Sequence, residues 1–121
     1  MKKRITAGAV AALVAAALAS QAGAAPNATA LTGKVGPGFT ITLASSSGKK
    51  VSSLKAGSYK ITVQDKSDIH DFHLTGPGVN KVITSVAFTG NKTVTLTLKK
   101  GTYKYQCDPH ASSMHGSFKV T

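Results

Sequence analysis

Apolar and polar residues alternate one for one along much of the chain. Phe39-Thr40-Ile41-Thr42-Leu43 is the first such run, and Tyr59-Lys60-Ile61-Thr62-Val63-Gln64 and His70-Asp71-Phe72-His73-Leu74 follow it. Val94-Thr95-Leu96-Thr97-Leu98 is the most regular. A period of two sends successive side chains to opposite faces of an extended backbone, so each run is predicted as a half-buried strand. Glycine and proline punctuate them. Gly76-Pro77-Gly78 stops the third run, Gly101 turns the chain into Tyr103-Lys104-Tyr105-Gln106-Cys107, and Phe118-Lys119-Val120 closes the sequence. A serine-rich stretch running into Lys49-Lys50 reads as loop. Neither an internal repeat nor a helical period is visible beyond the N-terminal segment. About seven to eight short strands with this punctuation predict an all-β fold, a two-sheet β-sandwich or barrel. The pattern gives a class and no function.

The N-terminus follows other rules. Met1-Lys2-Lys3-Arg4 is a positive lead, residues 5–19 are an Ala/Val/Leu run, and Ala22-Gly23-Ala24 offers the small residues a signal peptidase reads. Residues 1–24 are therefore expected to be a secretory signal peptide. The apolar run is too short and alanine-rich for a membrane span. An uncleaved anchor would look similar, but the Ser/Gln/Pro-containing flank favours cleavage. No cysteine follows to carry a lipid. Residues 25–30 read as a flexible lead-in and residues 31–121 as one domain, periplasmic or extracellular. Three of the positive residues fall in the leader, so the whole-chain charge of +11 becomes +8, from twelve lysines against four aspartates with no arginine or glutamate. Acidic partner proteins or anionic surfaces suit that balance. Nucleic acid does not, since arginine's bidentate phosphate grip is missing and the lysines are scattered. A solvated basic face explains the lysines equally well.

Cys107 cannot form an internal disulfide, being the chain's one cysteine. Its neighbours are informative. Beyond the leader the chain holds four histidines, this cysteine and one methionine, all in two clusters: His70/His73 and Cys107/His110/Met114/His115. Cys107 ends an alternating strand on the parity of Tyr103 and Tyr105, so it points inward. His110 follows on a loop stiffened by Pro109, and Met114 stands further along it. Thiolate, imidazole and thioether form a soft donor set suited to copper. One more nitrogen is needed. His70 and His73 face opposite sides of an extended strand, and His70 shares parity with the apolar Phe72 and Leu74. His70 is therefore the expected ligand, with His73 outward beside Asp71 and Thr75.

The run Cys107-Asp108-Pro109-His110, with Met114 and Gly116 beyond it on the same loop, resembles the copper loop of plastocyanins, pseudoazurins and amicyanins. Asp68-Ile69-His70-Asp71-Phe72-His73-Leu74 resembles the same family's other ligand segment, and amicyanin-like proteins carry a second, non-ligating histidine there. The likeness covers about residues 51–121. It implies a Greek-key cupredoxin sandwich holding one type 1 copper at one end, through His70, Cys107, His110 and Met114. Two departures stand out. Three residues separate His110 from Met114 where the family has two or four, which leaves His115 as a rival axial ligand. Asp71 stands where the family has an asparagine that ties the ligand loops together.

The resemblance implies an exported electron carrier cycling copper between redox partner proteins, and a monomer suits a carrier that must release partners quickly. In the family the loop histidine reaches the surface through an apolar patch, for which Gly36-Pro37-Gly38, Gly76-Pro77-Gly78, Pro109 and Ala111 are the candidates here. The alternative is a periplasmic copper chaperone or buffer, which would use the same ligands but usually exposes them. An enzyme is not expected: multicopper oxidases need repeated His-x-His pairs, and four scattered aspartates with no glutamate make no hydrolase site. Structural zinc normally takes four firm ligands, and thioether is not one.

Overall fold

The computed structural model describes residues 27–121, and the expected signal peptide lies outside the described residues. Nine strands follow in chain order: β1 (Thr29–Val35), β2 (Ile41–Ser45), β3 (Ser53–Leu54), β4 (Gly57–Asp65), β5 (Phe72–Gly76), β6 (Val79–Thr84), β7 (Gly90–Leu98), β8 (Gly101–Gln106) and β9 (His115–Val120). They form a four-stranded sheet, β2-β1-β4-β7, and a five-stranded sheet, β3-β9-β8-β5-β6. Both sheets are mixed, because β1 pairs with β4 and β3 with β9 in parallel. Strand neighbours are mostly not chain neighbours, so connections pass between the sheets in Greek-key fashion. The result is a sandwich and not a closed barrel. Among the described residues no helix is long and apolar enough to cross a membrane.

Alternation decides which face each strand buries. In β4 Tyr59, Ile61 and Val63 are buried while Lys60 is exposed and Thr62 and Gln64 are half-buried. In β8 Tyr103 and Tyr105 go inward and Thr102 and Lys104 outward. The inner faces meet around stacked rings: Phe72 on Tyr105 with centroids 5.6 Å apart, and Tyr103 on Phe118 at 5.4 Å. Each such ring, fully buried, contributes about 1.5–3 kcal/mol.

The structure holds more strands than the seven to eight expected. Strands β1, β3 and β6 were not legible as alternating runs. In β1, Gly33 interrupts the pattern for a packing reason: a Cβ there would stand 2.9 Å from the Phe72 ring on the opposing sheet. Strand β1 also takes in Thr29 and Ala30 from the segment read as lead-in. Strand β2 starts only at Ile41, which leaves Phe39 in a loop. Strand β5 starts at Phe72, so His70 and Asp71 belong to the loop before it, and a bulge separates Phe72 from His73. His70, Asp71 and Phe72 are buried in succession, which a flat strand does not allow. The expectation that Asp71 lies outward is thereby corrected.

Strand directions gather the loops 36–40, 66–71, 85–89 and 107–114 at one end of the sandwich. The turns after β2, between β3 and β4, between β5 and β6 and between β7 and β8 gather at the other. Gly76-Pro77-Gly78 belongs to the second group, with the Pro77 carbonyl 3.1 Å from the Tyr103 hydroxyl.

Candidate metal centre

Cys107 continues the inward parity of Tyr103 and Tyr105 one step beyond β8, and all three are buried. A single 3-10 turn, Asp108–His110, follows with Pro109 in its first positions. Main-chain hydrogen bonds close the loop tightly. His110 N–H donates to Cys107 O (3.0 Å), Met114 N–H to His110 O (2.8 Å), and Cys107 N–H back to Met114 O (3.0 Å). The Asp108 N–H donates to Asp71 Oδ1 at 2.6 Å and so pins this loop to the one bearing His70.

Three donor atoms converge inside this frame. Cys107 Sγ lies 3.6 Å from His70 Nδ1 and 3.5 Å from His110 Nδ1, and the two Nδ1 atoms are 3.2 Å apart. A point equidistant from the corners of that triangle lies about 2.0 Å from each, close to the roughly 2.0–2.1 Å of a zinc–imidazole bond and a little short for a metal–sulfur bond. The tautomer of His70 is set from behind. Its Nε2 stands 3.0 Å from the Gly38 carbonyl, which can only accept, so Nε2 carries the hydrogen and Nδ1 turns a lone pair inward. Cys107 and His70 are wholly buried, and His110 is half-buried beneath the exposed ring of Phe39. Phe39 stands edge-on to both imidazoles, at 5.3 Å from His70 and 4.9 Å from His110. A thiol and two imidazoles, two of the three groups wholly buried, fit a soft or borderline cation with an appetite for sulfur and nitrogen.

Electrostatics prepares the cysteine for a cation. Burial pushes the Cys107 thiol above its ordinary value, and the main-chain N–H groups of Asp71 and His110 pull the other way. Without a metal the sulfur holds its proton at neutral pH, so a bound cation must displace that proton. Burial also raises the Asp71 carboxyl, opposed by the Asp108 N–H. Outside the centre, His73 Nδ1 donates to the Asp108 carboxylate at 2.9 Å and its Nε2 to Asn80 Oδ1 at 2.6 Å. The Asn80 carbonyl first, and then Asp108, hold the proton on His73 above its ordinary value against its burial. Burial works against the Asp108 charge, but hydrogen bonds from Gln106 and His73 keep its carboxyl below the usual range.

Of the residues expected to bind, His70, Cys107 and His110 stand together. Met114 is 1 % exposed and belongs to the same buried cluster as Cys107. His115 points away: it is exposed, and its Nδ1 lies 2.8 Å from the Ala111 carbonyl. Gly36-Pro37-Gly38 lies at this end of the sandwich, whereas Gly76-Pro77-Gly78 lies at the opposite end and cannot border the centre. The apolar surface here is formed instead by Phe39 (59 % exposed), Ile69 and Val86. Sequence reasoning missed it because Phe39 reads as the first residue of a strand. The signal was its position directly after Gly36-Pro37-Gly38, a turn that lets a side chain leave the alternation.

Residues 34–121 match the family model described as copper binding proteins, plastocyanin/azurin family. No curated protein matches the sequence significantly. Among solved structures, rusticyanin from Thiobacillus ferrooxidans is 24% identical with a TM-score of 0.52, over 76% of each chain. Reduced rusticyanin gives 23% and 0.54, over 76% of this chain and 78% of that one. A further structure of the copper protein rusticyanin gives 21% and 0.56, over 76% of each. At these identities the likeness carries the fold.

Proposed function

The chain belongs to the plastocyanin/azurin family of copper-binding proteins, and from that premise we propose that it is an exported electron carrier rather than an enzyme. Its cofactor is one copper ion of the type 1 class, which the His70, Cys107 and His110 cluster fits. Copper supplies, when bound, a one-electron couple between Cu(II) and Cu(I). We assign His70 Nδ1, Cys107 Sγ and His110 Nδ1 as the strong ligands and the buried Met114 as the weak axial one.

The converged donor triangle is the observation that carries the reading. The three atoms are already at ligand spacing, held by the Asp71–Asp108 tie and the Gly38 carbonyl behind His70. A frame that need not rearrange keeps the cost of changing charge low. Burial of Cys107, His70 and Met114 excludes water and slows metal exchange, which favours a carrier over a chaperone or buffer. His110 is the ligand nearest solvent, and the exposed ring of Phe39 against it, with Ile69 and Val86 exposed on loops at the same end, offers apolar surface on which a redox partner can dock.

The test is repeated reduction and reoxidation of the copper-loaded protein with a strong Cu(I) chelator present. A carrier returns a reversible one-electron couple over many cycles with its copper retained. Loss of copper to the chelator on the first reduction would identify a buffer or chaperone.

A further inference from the structure

All four carboxylate side chains of the chain lie at the metal end: Asp65 closes β4, Asp68 and Asp71 stand in the following loop, and Asp108 follows Cys107. The opposite end has no aspartate and gathers five lysines. Lys49 and Lys50 follow β2, Lys55 lies between β3 and β4, and Lys99 and Lys100 form the turn between β7 and β8. All five are exposed. The backbones of Lys55 and Lys99 are held from inside. Tyr59 Oη donates to the Lys55 carbonyl at 2.6 Å, and Tyr103 Oη accepts the Lys99 N–H at 2.8 Å. A cleft of about 450 Å³ runs along the outer face of the four-stranded sheet, from Ser46 and Lys50 at this end to Lys34, Thr42 and Gln64 towards the metal end. Ammonium and hydroxyl groups without a carboxylate are the chemistry that receives a phosphate.

The chain enters the sandwich at this same end, where Thr29 begins β1 beside Tyr59 of β4. We propose that the lysine end docks on anionic phospholipid headgroups, with the metal end turned outward. The nine residues of β4 run the length of the sandwich, so the metal end stands on the order of 30 Å above the headgroups. A carrier held this way keeps its apolar docking surface free while it stays at the membrane. The choice of a membrane rests on the export reading, whereas the charge asymmetry does not depend on copper.

The experiment is sedimentation of the copper-loaded protein, in the form its host exports, with vesicles of phosphatidylcholine alone or with added phosphatidylglycerol. Binding is expected only to the anionic vesicles, weakening as salt is raised towards physiological strength. A Lys99→Gln/Lys100→Gln variant should lower the partition coefficient about 25-fold, roughly fivefold per lysine. A Lys66→Gln/Lys92→Gln variant of equal net charge, altered towards the metal end, should stay within about twofold of the parent. Equal losses in the two variants would overturn the proposal, because net charge and not the far end would then bind. Salt-insensitive binding to neutral vesicles would overturn it in favour of apolar insertion. Binding to an acidic polysaccharide but not to vesicles would replace the lipid with a glycan. Each readout is independent of the redox cycle, so failure here leaves the carrier reading intact.

Discussion

Replacing Asp71 by asparagine should raise the reduction potential. Asp71 is buried beside His70, and its side chain is among the groups that act on the Cys107 sulfur. An ionised carboxylate there favours Cu(II) over Cu(I). For scale, a unit charge at a separation on the order of 6 Å and an effective permittivity of ~20 contributes about 2.8 kcal/mol. At about 59 mV per tenfold for one electron, this is on the order of 100 mV. The asparagine adds a second effect of the same sign, since its amide can donate to the sulfur where a carboxylate cannot. The variant keeps an oxygen to accept the Asp108 N–H, so the tie between the loops survives and stability should change little. Potentiometric titration at pH 7 reads the shift. Asp68→Asn is the control, because Asp68 is exposed on the same loop and its charge is screened. An unchanged or lower potential in Asp71→Asn, with the copper spectrum intact, would refute the reasoning.

Other perturbations separate the remaining parts of the account. Met114→Leu should raise the potential while the copper stays bound, and His115→Ala should leave the visible and paramagnetic resonance spectra unchanged; the opposite pair of results would make His115 the axial ligand. Gly116→Ala places a methyl group into Cζ and Oη of Tyr105, a buried ring two residues before Cys107. It should destabilise the fold by about 1–3 kcal/mol in urea titration, and parental stability would show that the ring yields freely. His73 binds its proton more tightly in the folded than in the unfolded protein. Its contribution to stability is therefore fully present below about pH 6.5 and is lost as pH rises through the raised folded value. Melting of the metal-free protein should show that decline, and His73→Gln should flatten it.

The clustering of His70, Cys107 and His110 was more legible in the sequence than the strands were. Cys107, His110 and Met114 share one short loop, and the parity of His70 with Phe72 and Leu74 chose the inward histidine, so local chemistry sufficed. That parity argument failed one residue later. Asp71 is inward as well, because strand pairing begins only at Phe72 and the loop before it owes nothing to alternation. Strand β1 was hidden for a related reason. Gly33 breaks its pattern to make room for a ring supplied from the other sheet, a contact no local window contains. Phe39 sits in phase with Ile41 and Leu43, yet the chain turns before it, and the residue that looked like core covers the two histidines from outside. The segregation of carboxylates from lysines likewise needed the topology, because Asp108 is far along the chain from Asp65 and Asp71 and joins them only at the end of the sandwich.

The most direct test of the central claim is the visible absorption spectrum of the protein after Cu(II) is added and excess metal removed. An intense thiolate-to-copper band, bleached by ascorbate and lost in Cys107→Ala, is the predicted result. A protein that shows no such band, with Cys107 still titrating as a free thiol, would contradict the assignment of His70, Cys107 and His110 as a type 1 copper site.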